Sequence, residues 1–370
     1  MKKIAIIGGG IIGLTLANYL NREKFDITIY DQPTGQATGA SAGIISPWLS
    51  KRRNKQWYAL AKDGANFFPQ LIQDFDLDDG IYQRSGTLLL REQSQLDELY
   101  ELALKRRETA PAIGEIKLLA EAETAERLPL LKPTKALYIS GGGRLDGKAY
   151  LQHLRSLAKK KGLHLVNQQV VLKQAATLTV LVENQPVHYD RIILTPGPHL
   201  KALLQPLNYQ TDIRPQKGQL LAFQTDHRQS ASWSVAMLDG EADLIPFAEG
   251  KILLGATHEN DHGWDLAATK EAFQQLTTSA AEFLADPAEL FDALYHFRVG
   301  TRAYTSDFAP FFGVLREDLL VASGLGSSGL TTGPYIGYLL ANYLNGETID
   351  WSMYQKPLEN YIHQKNRSFN

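Results

Sequence analysis

The sequence predicts a mixed α/β protein that combines a doubly wound parallel sheet with an antiparallel sheet. Short apolar runs, each followed by glycines and then by helical periodicity, occur near both ends of the chain and are typical of parallel strands. Between residues 213 and 254 the strand-like segments are short and separated by turns, which is typical of an antiparallel sheet. A length of 370 residues allows two or three domains.

The first strand ends in a glycine-rich turn with the spacing of a dinucleotide-binding site. The apolar run Ile4 to Ile7 is followed by Gly8, Gly10 and Gly13 in the pattern G-x-G-x-x-G. The first glycine makes the tight turn, the second lets the backbone approach a pyrophosphate, and the third lets the helix pack closely on the strand. Apolar residues at helical spacing follow, so we expect a helix whose N-terminus faces the phosphates.

A second apolar strand over residues 27–30 ends at Asp31. Asp31 lies about 18 residues after Gly13, where an acidic residue binds the ribose hydroxyls of an adenosine. Strand, helix, second strand and acid therefore occur in the order that a dinucleotide site requires. The acid disfavours a 2′-phosphate, so the sequence predicts FAD or NAD rather than NADP.

Composition excludes several classes of function. Apolar residues make up 44% of the chain and charged residues 21%, as in ordinary globular proteins. A net charge of −2 gives no dominant attraction to nucleic acid, although a local basic patch remains open. The absence of cysteine excludes disulfides, thiolate metal sites and a cysteinyl-linked flavin. No apolar run reaches membrane-spanning length and no cleavage site follows the first residues, so we expect a cytoplasmic protein.

The middle of the chain alternates helices and strands. Residues 57–71, 96–104 and a segment ending at 128–130 have helical patterns, and residues 86–90 read as a strand; we assign these elements to the start of a second domain. A helix over 150–158 leads to a strand at 163–166, so the chain returns to the parallel sheet. The buried strand at 189–194 ends in a Pro/Gly turn, where strand ends face the ligand crevice.

The last third carries a second concentrated signal. A helix over 273–284 precedes a strand-like segment at 297–304 that places arginines 298 and 302 on one face. A strand at 319–322 is followed by a glycine-rich loop and by a helix that ends at Gly346. The N-terminus of that helix is a second end able to stabilise an anion.

Seven short motifs follow one another in a characteristic order: Gly8–Gly13, Ser41–Ile44, Leu194–Gly197, Pro215–Gln219, Pro246–Thr257, Gly300–Arg302 and Gly324–Pro334. Over nearly its whole length the chain resembles the FAD-dependent D-amino acid oxidase superfamily, glycine oxidase type. The resemblance implies a Rossmann-like FAD-binding domain interleaved with an α+β substrate domain built on an antiparallel sheet. By this resemblance, residues 1–46, 141–212 and 296–370 form the FAD-binding domain, and residues 47–140 and 213–295 form the substrate-binding domain.

The resemblance also assigns the cofactor contacts of a non-covalent FAD. It implies that the adenosine diphosphate half is held around Gly8, Gly10, Ile11, Ile12, Gly13, Asp31 and Gln32, that Val171 contacts the adenine side through its backbone, and that Gly197, Ser41, Ala42, Gly43 and Ile44 pass near the cofactor. The isoalloxazine edge is implied to lie along Leu325, Gly326, Ser327, Ser328, Gly329, Leu330 and Thr331. A helix starting there offers N–H groups to the negative charge of reduced flavin.

The implied activity is oxidation of the CH–NH bond of a small amino acid, either a D-amino acid, glycine or an N-alkyl glycine, with hydride transfer to flavin N5 and hydrolysis of the imine. This reaction needs an anchor for the substrate carboxylate, and Arg302 is the candidate because a guanidinium grips a carboxylate with two hydrogen bonds. Tyr304 and His258 are candidates for the pocket wall, and Arg298 is assigned a structural role. No metal is expected.

Two departures from the glycine oxidase pattern bear on specificity. The loop Leu325–Gly329 lacks the arginine that glycine oxidases carry there, and Ala303 replaces the proline that usually follows the carboxylate-binding arginine. The loop looks more like that of D-amino acid dehydrogenases or of the oxidase module that modifies wobble uridine in tRNA. The alternatives are therefore an enzyme acting on a carboxymethylamino group of tRNA and a flavin-binding subunit without turnover. The sequence leaves open whether oxygen or a quinone carrier accepts the electrons, and also the oligomeric state.

Overall fold

The computed structural model describes residues 1–51, 54–240 and 242–365. The helices are α1 Ile11–Tyr19, α2 Lys55–Asn66, α3 Phe68–Phe75, α4 Gln93–Arg107, α5 Glu121–Arg127, α6 Gly147–Lys160, α7 Leu200–Leu204, α8 Lys270–Ala281, α9 Pro287–Phe291 and α10 Gly329–Asn345. The strands are β1 Lys2–Ile7, β2 Phe25–Asp31, β3 Ile44–Ile45, β4 Tyr82–Gln83, β5 Thr87–Leu89, β6 Ile116–Leu119, β7 Ala136–Ile139, β8 Gly143–Leu145, β9 His164–Asn167, β10 Val170–Gln174, β11 Leu178–Val182, β12 Gln185–Val187, β13 Arg191–Leu194, β14 Tyr209–Thr211, β15 Arg214–Gln224, β16 Val235–Met237, β17 Asp243–Pro246, β18 Lys251–Gly255, β19 Leu294–Tyr304, β20 Phe311–Arg316, β21 Leu319–Ser323 and β22 Ile362–Gln364.

A six-stranded sheet forms the first layer, in the order β20-β21-β13-β1-β2-β9. Strand β1 pairs in parallel with β2 on one side and with β13 on the other, so the strand order reverses at β1. Strands β9 and β21 extend the sheet in parallel, and β20 closes it as an antiparallel edge. The predicted return of the chain to a parallel sheet at 163–166 and 189–194 is confirmed, and the reversal at β1 creates a crevice at the carboxyl ends of the strands.

Close packing holds the first helix on this sheet. The side chains of Ile4 and Ile6 are fully buried, and α1 is buried along most of its length. A Cβ at Gly13 would collide with the carbonyl oxygen of Gly8 and lie 2.6 Å from Thr195 Oγ1. Only glycine permits this approach of helix to turn, so the third glycine of the motif fixes the position of the N-terminus of α1.

An eight-stranded, largely antiparallel sheet forms the second layer, in the order β19-β15-β18-β17-β16-β5-β7-β6. Strands β15 and β19 pair along eleven residues each, from Arg214 opposite Tyr304 to Gln224 opposite Leu294. One face packs against α8 through Leu276 and Ala280. The other face carries a small apolar cluster that packs against Ala42 and Ile44, so it faces the parallel-sheet layer.

The division into two domains stays a prediction. Strand β19 belongs to the eight-stranded sheet along its whole length, whereas the predicted FAD-binding segment begins at residue 296. Residues 366–370 of that segment lie outside the described residues. Within the part of the chain that the structure describes, no helix has the length and apolar character needed to cross a membrane.

Candidate functional site

A long cavity lies between the carboxyl ends of the parallel strands and the inner face of the eight-stranded sheet. Nineteen of the predicted site residues line it: Gly8, Gly10, Ile11, Ile12, Asp31, Gln32, Ser41, Ala42, Gly43, Ile44, Val171, Gly197, His258, Arg302, Leu325, Gly326, Ser327, Gly329 and Leu330. Gly13, Tyr304, Ser328 and Thr331 are not among the lining residues. Segments as far apart in the chain as Gly8 and Leu330 therefore meet at one site.

The turn between β1 and α1 forms one end of the cavity. Helix α1 begins after Gly10, and no side chain caps its N-terminus or places a negative charge in its first turn. A Cβ at Gly10 would find no neighbour closer than Thr38 Oγ1 at 3.9 Å, so this side of the turn is open. Uncapped N–H groups beside an open glycine suit a phosphate, and these residues fit the pyrophosphate of a dinucleotide.

Asp31 is held firmly at the end of β2. Its Oδ1 accepts a hydrogen bond of 2.9 Å from the Gly9 amide, and its Oδ2 forms an ion pair with Arg155. Arg155, on α6, also donates to the Gly9 carbonyl at 3.3 Å. Each carboxylate oxygen has two lone pairs, so Asp31 can still accept hydrogen bonds from ribose hydroxyls. Sequence reasoning missed Arg155, because only the packing of α6 on α1 brings it to the turn.

The loop Ser41–Ile44 lines the cavity and is held in place by hydrogen bonds to β8. Gly43 has a φ of +101°, and its carbonyl accepts a hydrogen bond of 2.8 Å from the Leu145 amide. Ile44 then pairs with Arg144 across the β3–β8 ladder. A backbone fixed on one side by a strand presents Ala42 and Ile44 to the cavity as a rigid apolar wall.

The glycine-rich loop after β21 forms the opposite wall. Helix α10 starts at Gly329, and no side-chain hydrogen bond caps its N-terminus. Ser328 points away from the cavity, since its Oγ accepts from Trp57 Nε1 at 3.0 Å and donates to the Leu325 carbonyl at 3.0 Å. Thr331 is buried, and Tyr304 packs behind Gly326, in edge contact with the Phe308 ring. The backbone of Leu325–Ser327 is thus the part of this loop that a ligand meets.

Arg302 lies on the floor of the cavity. Its Nη1 donates to the Thr257 carbonyl at 2.8 Å and to Gln216 Oε1 at 3.2 Å. The guanidinium lies above Gly218, where a Cβ would be 2.6 Å from Arg302 Cζ, so the glycine makes room for it. Arg298 lies four residues earlier on the same face but outside the lining, and its Nη1 is 3.7 Å from Asp146 Oδ1.

The lining also contains titratable side chains that were not predicted as site residues, among them Asp243 and His199. Asp243, at the start of β17, accepts a hydrogen bond of 3.1 Å at Oδ1 from the Leu238 amide. Burial raises the pKa of this carboxyl to about 7, and the nearby positive charge of Arg91 opposes the rise. The His199 ring lies 4.6 Å from the Trp264 ring, between centroids, at a tilt of 42°, and burial lowers the pKa of His199. An acidic residue at the head of the otherwise apolar segment Asp243–Pro246 is the only hint in the sequence.

Comparison with known proteins identifies relatives over almost the whole chain. The model of a family described as FAD dependent oxidoreductase matches residues 3–343. An uncharacterised oxidoreductase of Bacillus subtilis, YurR, is 36% identical over 361 residues, covering 94% of this chain and 96% of the relative. A glycine oxidase of Pseudomonas aeruginosa is 27% identical over 357 residues, covering 93% and 95% of the two chains.

Solved structures give the same picture. The crystal structure of iminodiacetate oxidase from Chelativorans sp. BNC1 superposes with a TM-score of 0.89 at 30% identity, covering 97% of this chain and 98% of that one. The glycine oxidase of Geobacillus kaustophilus superposes with a TM-score of 0.81 at 20% identity, covering 96% of this chain and 98% of that one. At this identity the likeness shows a shared fold.

Proposed function

This chain belongs to the family of FAD dependent oxidoreductases, and from that premise we propose that it oxidises the CH–NH bond of a small amine that carries a carboxylate. The fold is that of the FAD oxidases of this family, and its cofactor is FAD. Expected substrates are glycine, N-alkyl glycines and D-amino acids. The observation that carries the proposal is Arg302, a guanidinium fixed over Gly218 on the cavity floor.

Arg302 supplies what this substrate class needs. A guanidinium that is already oriented by Thr257 and Gln216 loses little freedom when it binds a planar carboxylate. Such a pair fixes the neighbouring carbon relative to the cofactor and provides orientation rather than acid–base chemistry. The names of two relatives support this assignment: glycine and iminodiacetate both contain a carboxylate one carbon away from an amine nitrogen.

The predicted cofactor contacts follow the cavity. We assign the phosphates to the open turn at Gly10 and the N-terminus of α1, the ribose to Asp31, and the adenine to the segment around Val171. Ile44, the backbone of Leu325–Ser327 and the N-terminus of α10 would hold the flavin ring. The bound FAD would supply the hydride acceptor for this oxidation. The apolar residues around it exclude water, and the imine product hydrolyses once released.

The test is anaerobic reduction of the bound flavin by a panel of glycine, sarcosine, iminodiacetate, D-alanine and D-proline. We expect bleaching by at least one of them, with a rate that saturates with substrate concentration. Heat or acid should release intact FAD into the supernatant, because no cysteine is available for a link to the flavin. Flavin that none of these amines reduces would contradict the proposed function.

The alternative substrate is a carboxymethylamino group on a modified tRNA uridine, and it has weaker support. A tRNA-modifying bifunctional protein of Idiomarina loihiensis is 24% identical, and the match covers 94% of this chain but 56% of that protein. The net charge of −2 also provides no general attraction to RNA. Bleaching by the modified tRNA, with no free amine active, would favour this alternative.

A further inference from the structure

Asp243 is a carboxyl that the cavity wall presents to a ligand. Its side chain is only partly buried, and it lines the cavity. The Leu238 amide donates a hydrogen bond to its Oδ1. The positive charge of Arg91 also lowers the pKa of Asp243, although the Arg91 Nε lies 3.5 Å from Asp239. Among the ion pairs of the described residues, Asp243 takes part in none. A carboxylate held in this way has capacity for a cationic partner that comes from outside the chain.

The register of the sheet puts Asp243 and the Arg302 guanidinium on the same face, although Asp243 is level with Arg298 and Arg302 lies four residues further along β19. Asp243 pairs with Gly255, which pairs with Leu220, and alternate residues along a strand share a face, so Gly218 lies on that same face. The Arg302 guanidinium lies above Gly218. Strands β15 and β17 are two strand spacings apart and Gly218 lies two residues along β15 from Leu220, so the backbones of Asp243 and Gly218 are roughly 12 Å apart. The strand between them contributes Gly255, which has no side chain to separate the two charged groups.

We propose that Asp243 binds the amino group of the substrate while Arg302 binds its carboxylate. This inference rests on the proposed function and narrows the substrate class to zwitterions with one carboxylate. The two charged groups and the two glycines between them form a complementary surface for such a molecule. A second carboxylate on the nitrogen side of the substrate would approach Asp243 and be repelled. Iminodiacetate is therefore expected to be a poor substrate of this chain.

The same contact removes the proton that blocks the reaction. Amines of this class are cationic near neutral pH, and a hydride leaves the adjacent carbon readily only when the nitrogen has a free lone pair. The ammonium N–H gives its proton to the Asp243 carboxylate, leaving a neutral amine and a carboxylic acid, with no change in electron count. Burial brings the pKa of Asp243 to about 7, which suits a base working near neutrality.

Burial, Arg91 and the Leu238 amide set the titration of Asp243. Arg91 and the amide favour the ionised form, and the other charged or titratable side chains of this end, Arg302 and His258, line the same cavity. We expect the rate constant for flavin reduction at low substrate concentration to rise with pH through about 7 in the wild type. Above a pH of about 7 the wild-type rate constant should level off, because Asp243 is then ionised. Asp243→Asn keeps the size of the side chain and the acceptor for the Leu238 amide but has no base, so its rate constant should be lower at pH 7 and should keep rising with pH as the free substrate loses its own proton.

A binding experiment separates this role from a structural one. Calorimetry on the holoenzyme compares 2-aminoisobutyrate, which has no hydrogen on the carbon next to nitrogen, with isobutyrate, which lacks only the amine. The wild type should prefer the amino compound by roughly 10- to 100-fold, the range for hydrogen bonds to a charged group. Asp243→Asn should lose the preference and Asp243→Glu should keep part of it. Asp239→Asn, which removes a neighbouring acid that pairs with Arg91, should retain all of it.

The outcomes distinguish the role of Asp243 from the proposed function. Equal binding of both compounds by the wild type, with amines still reducing the flavin, would overturn the role of Asp243 and leave the proposed function intact. Failure of every amine to reduce the flavin would overturn the proposed function itself. Oxidation of iminodiacetate as efficiently as sarcosine by the wild type would contradict the narrowing to one carboxylate. A gain on iminodiacetate in Asp243→Asn would support it.

Discussion

The two ends of the cavity are built in different ways. The end that we assign to the cofactor (the cofactor end) comes from a short stretch of chain: β1, the N-terminus of α1 and the end of β2 lie within the first 31 residues. The end that we propose for the substrate (the substrate end) brings Gly218, Asp243, Gly255 and Arg302 together from four strands of the eight-stranded sheet. Local packing therefore makes the first end, and strand register makes the second, so the two ends should respond differently to substitution.

The largest effect is expected at the cofactor end, from Gly13→Ala. The new methyl group would collide with the Gly8 carbonyl oxygen and with Thr195 Oγ1, and neither the turn nor β13 can move without disturbing the central sheet. Overpacking of this kind against backbone should cost about 3 kcal/mol or more of the free energy of unfolding. Thermal or denaturant unfolding of the purified protein measures the loss.

Gly10→Ala is the matched control in the same turn. Its Cβ would have no neighbour closer than 3.9 Å, so the fold should keep its stability to within about 1 kcal/mol. The methyl group would instead point into the space assigned to the pyrophosphate, so FAD titration should show weaker binding. Equal FAD affinity in Gly10→Ala and the wild type would mean that the phosphates lie elsewhere.

At the substrate end, Arg302→Leu should leave the fold and the bound FAD intact and slow flavin reduction. Removing the guanidinium leaves the substrate carboxylate unpaired in a cavity shielded from water, so we expect a loss of roughly 100-fold or more at low substrate concentration. Arg302→Lys should recover only part, because lysine keeps the charge without the two-pronged geometry. Stopped-flow absorbance of the flavin measures the rates.

Two controls test whether the carboxylate is the cause. Arg298→Leu removes an arginine from the same strand face but outside the cavity lining, and it should reduce flavin at nearly the wild-type rate if the protein folds. Dimethylamine, which is sarcosine without its carboxylate, should react equally slowly with the wild type and with Arg302→Leu. Equal rates of the wild type and Arg302→Leu on sarcosine would move the anchor to another residue.

The same contrast explains what the sequence could predict. The motif from Ile4 to Asp31 could be predicted because its residues contact one another within a short stretch of chain. Strand β1, helix α1 and strand β2 lie where the periodicity predicts them. Arg302 was found through the resemblance, but its support by Gly218 depends on the pairing of β15 with β19. Asp243 and Arg155 were missed, since an isolated charged residue has no periodicity and only tertiary packing gives it a partner.

Short strands that mix exposed and buried residues could not be predicted from the sequence either. Strands β6, β10 and β12 carry exposed polar or charged residues beside buried or half-buried ones, and no glycine-rich turn marks them. Val171, half exposed on β10, was reached only through the resemblance. Tyr304 was a candidate for the pocket wall, and its ring packs behind Gly326 and is not among the lining residues.

Asp31→Ala tests the ribose contact with a smaller effect. Losing hydrogen bonds from the ribose hydroxyls to a charged acceptor should cost about 1.5–3 kcal/mol, so FAD should bind roughly 10- to 100-fold more weakly. The rate of flavin reduction in the reconstituted variant should change little. Asp26→Ala is the control and should bind FAD normally, because Asp26 lies on the same strand but is paired at 3.5 Å with the exposed His164. An unchanged FAD affinity in Asp31→Ala would place the adenosine elsewhere.

The smallest expected effect is on stability, from Asp243→Asn. Burial raises the pKa of Asp243 from 3.8 to about 7, so the folded state holds this proton more tightly than the unfolded state. The native protein is therefore penalised increasingly as pH rises from about 4 to 7, and fully above 7. Asparagine never ionises and keeps the hydrogen bond from the Leu238 amide. The holoenzyme with Asp243→Asn should melt roughly 1–3 °C higher than the wild type at pH 8, with a smaller gain at pH 5.

Asp239→Asn provides the comparison for this measurement. Its side chain is 58% exposed on the same loop, so its removal should not reproduce the gain at pH 8. A gain for Asp243→Asn that is the same at pH 5 and pH 8 would show that a change in packing, rather than the buried charge, is responsible. A gain confined to high pH, together with a lost preference for amines, would show that the substrate end keeps an ionisable group at the expense of stability. No such loss of stability is expected at the cofactor end, because the Asp31 carboxylate is paired with Arg155 within the chain.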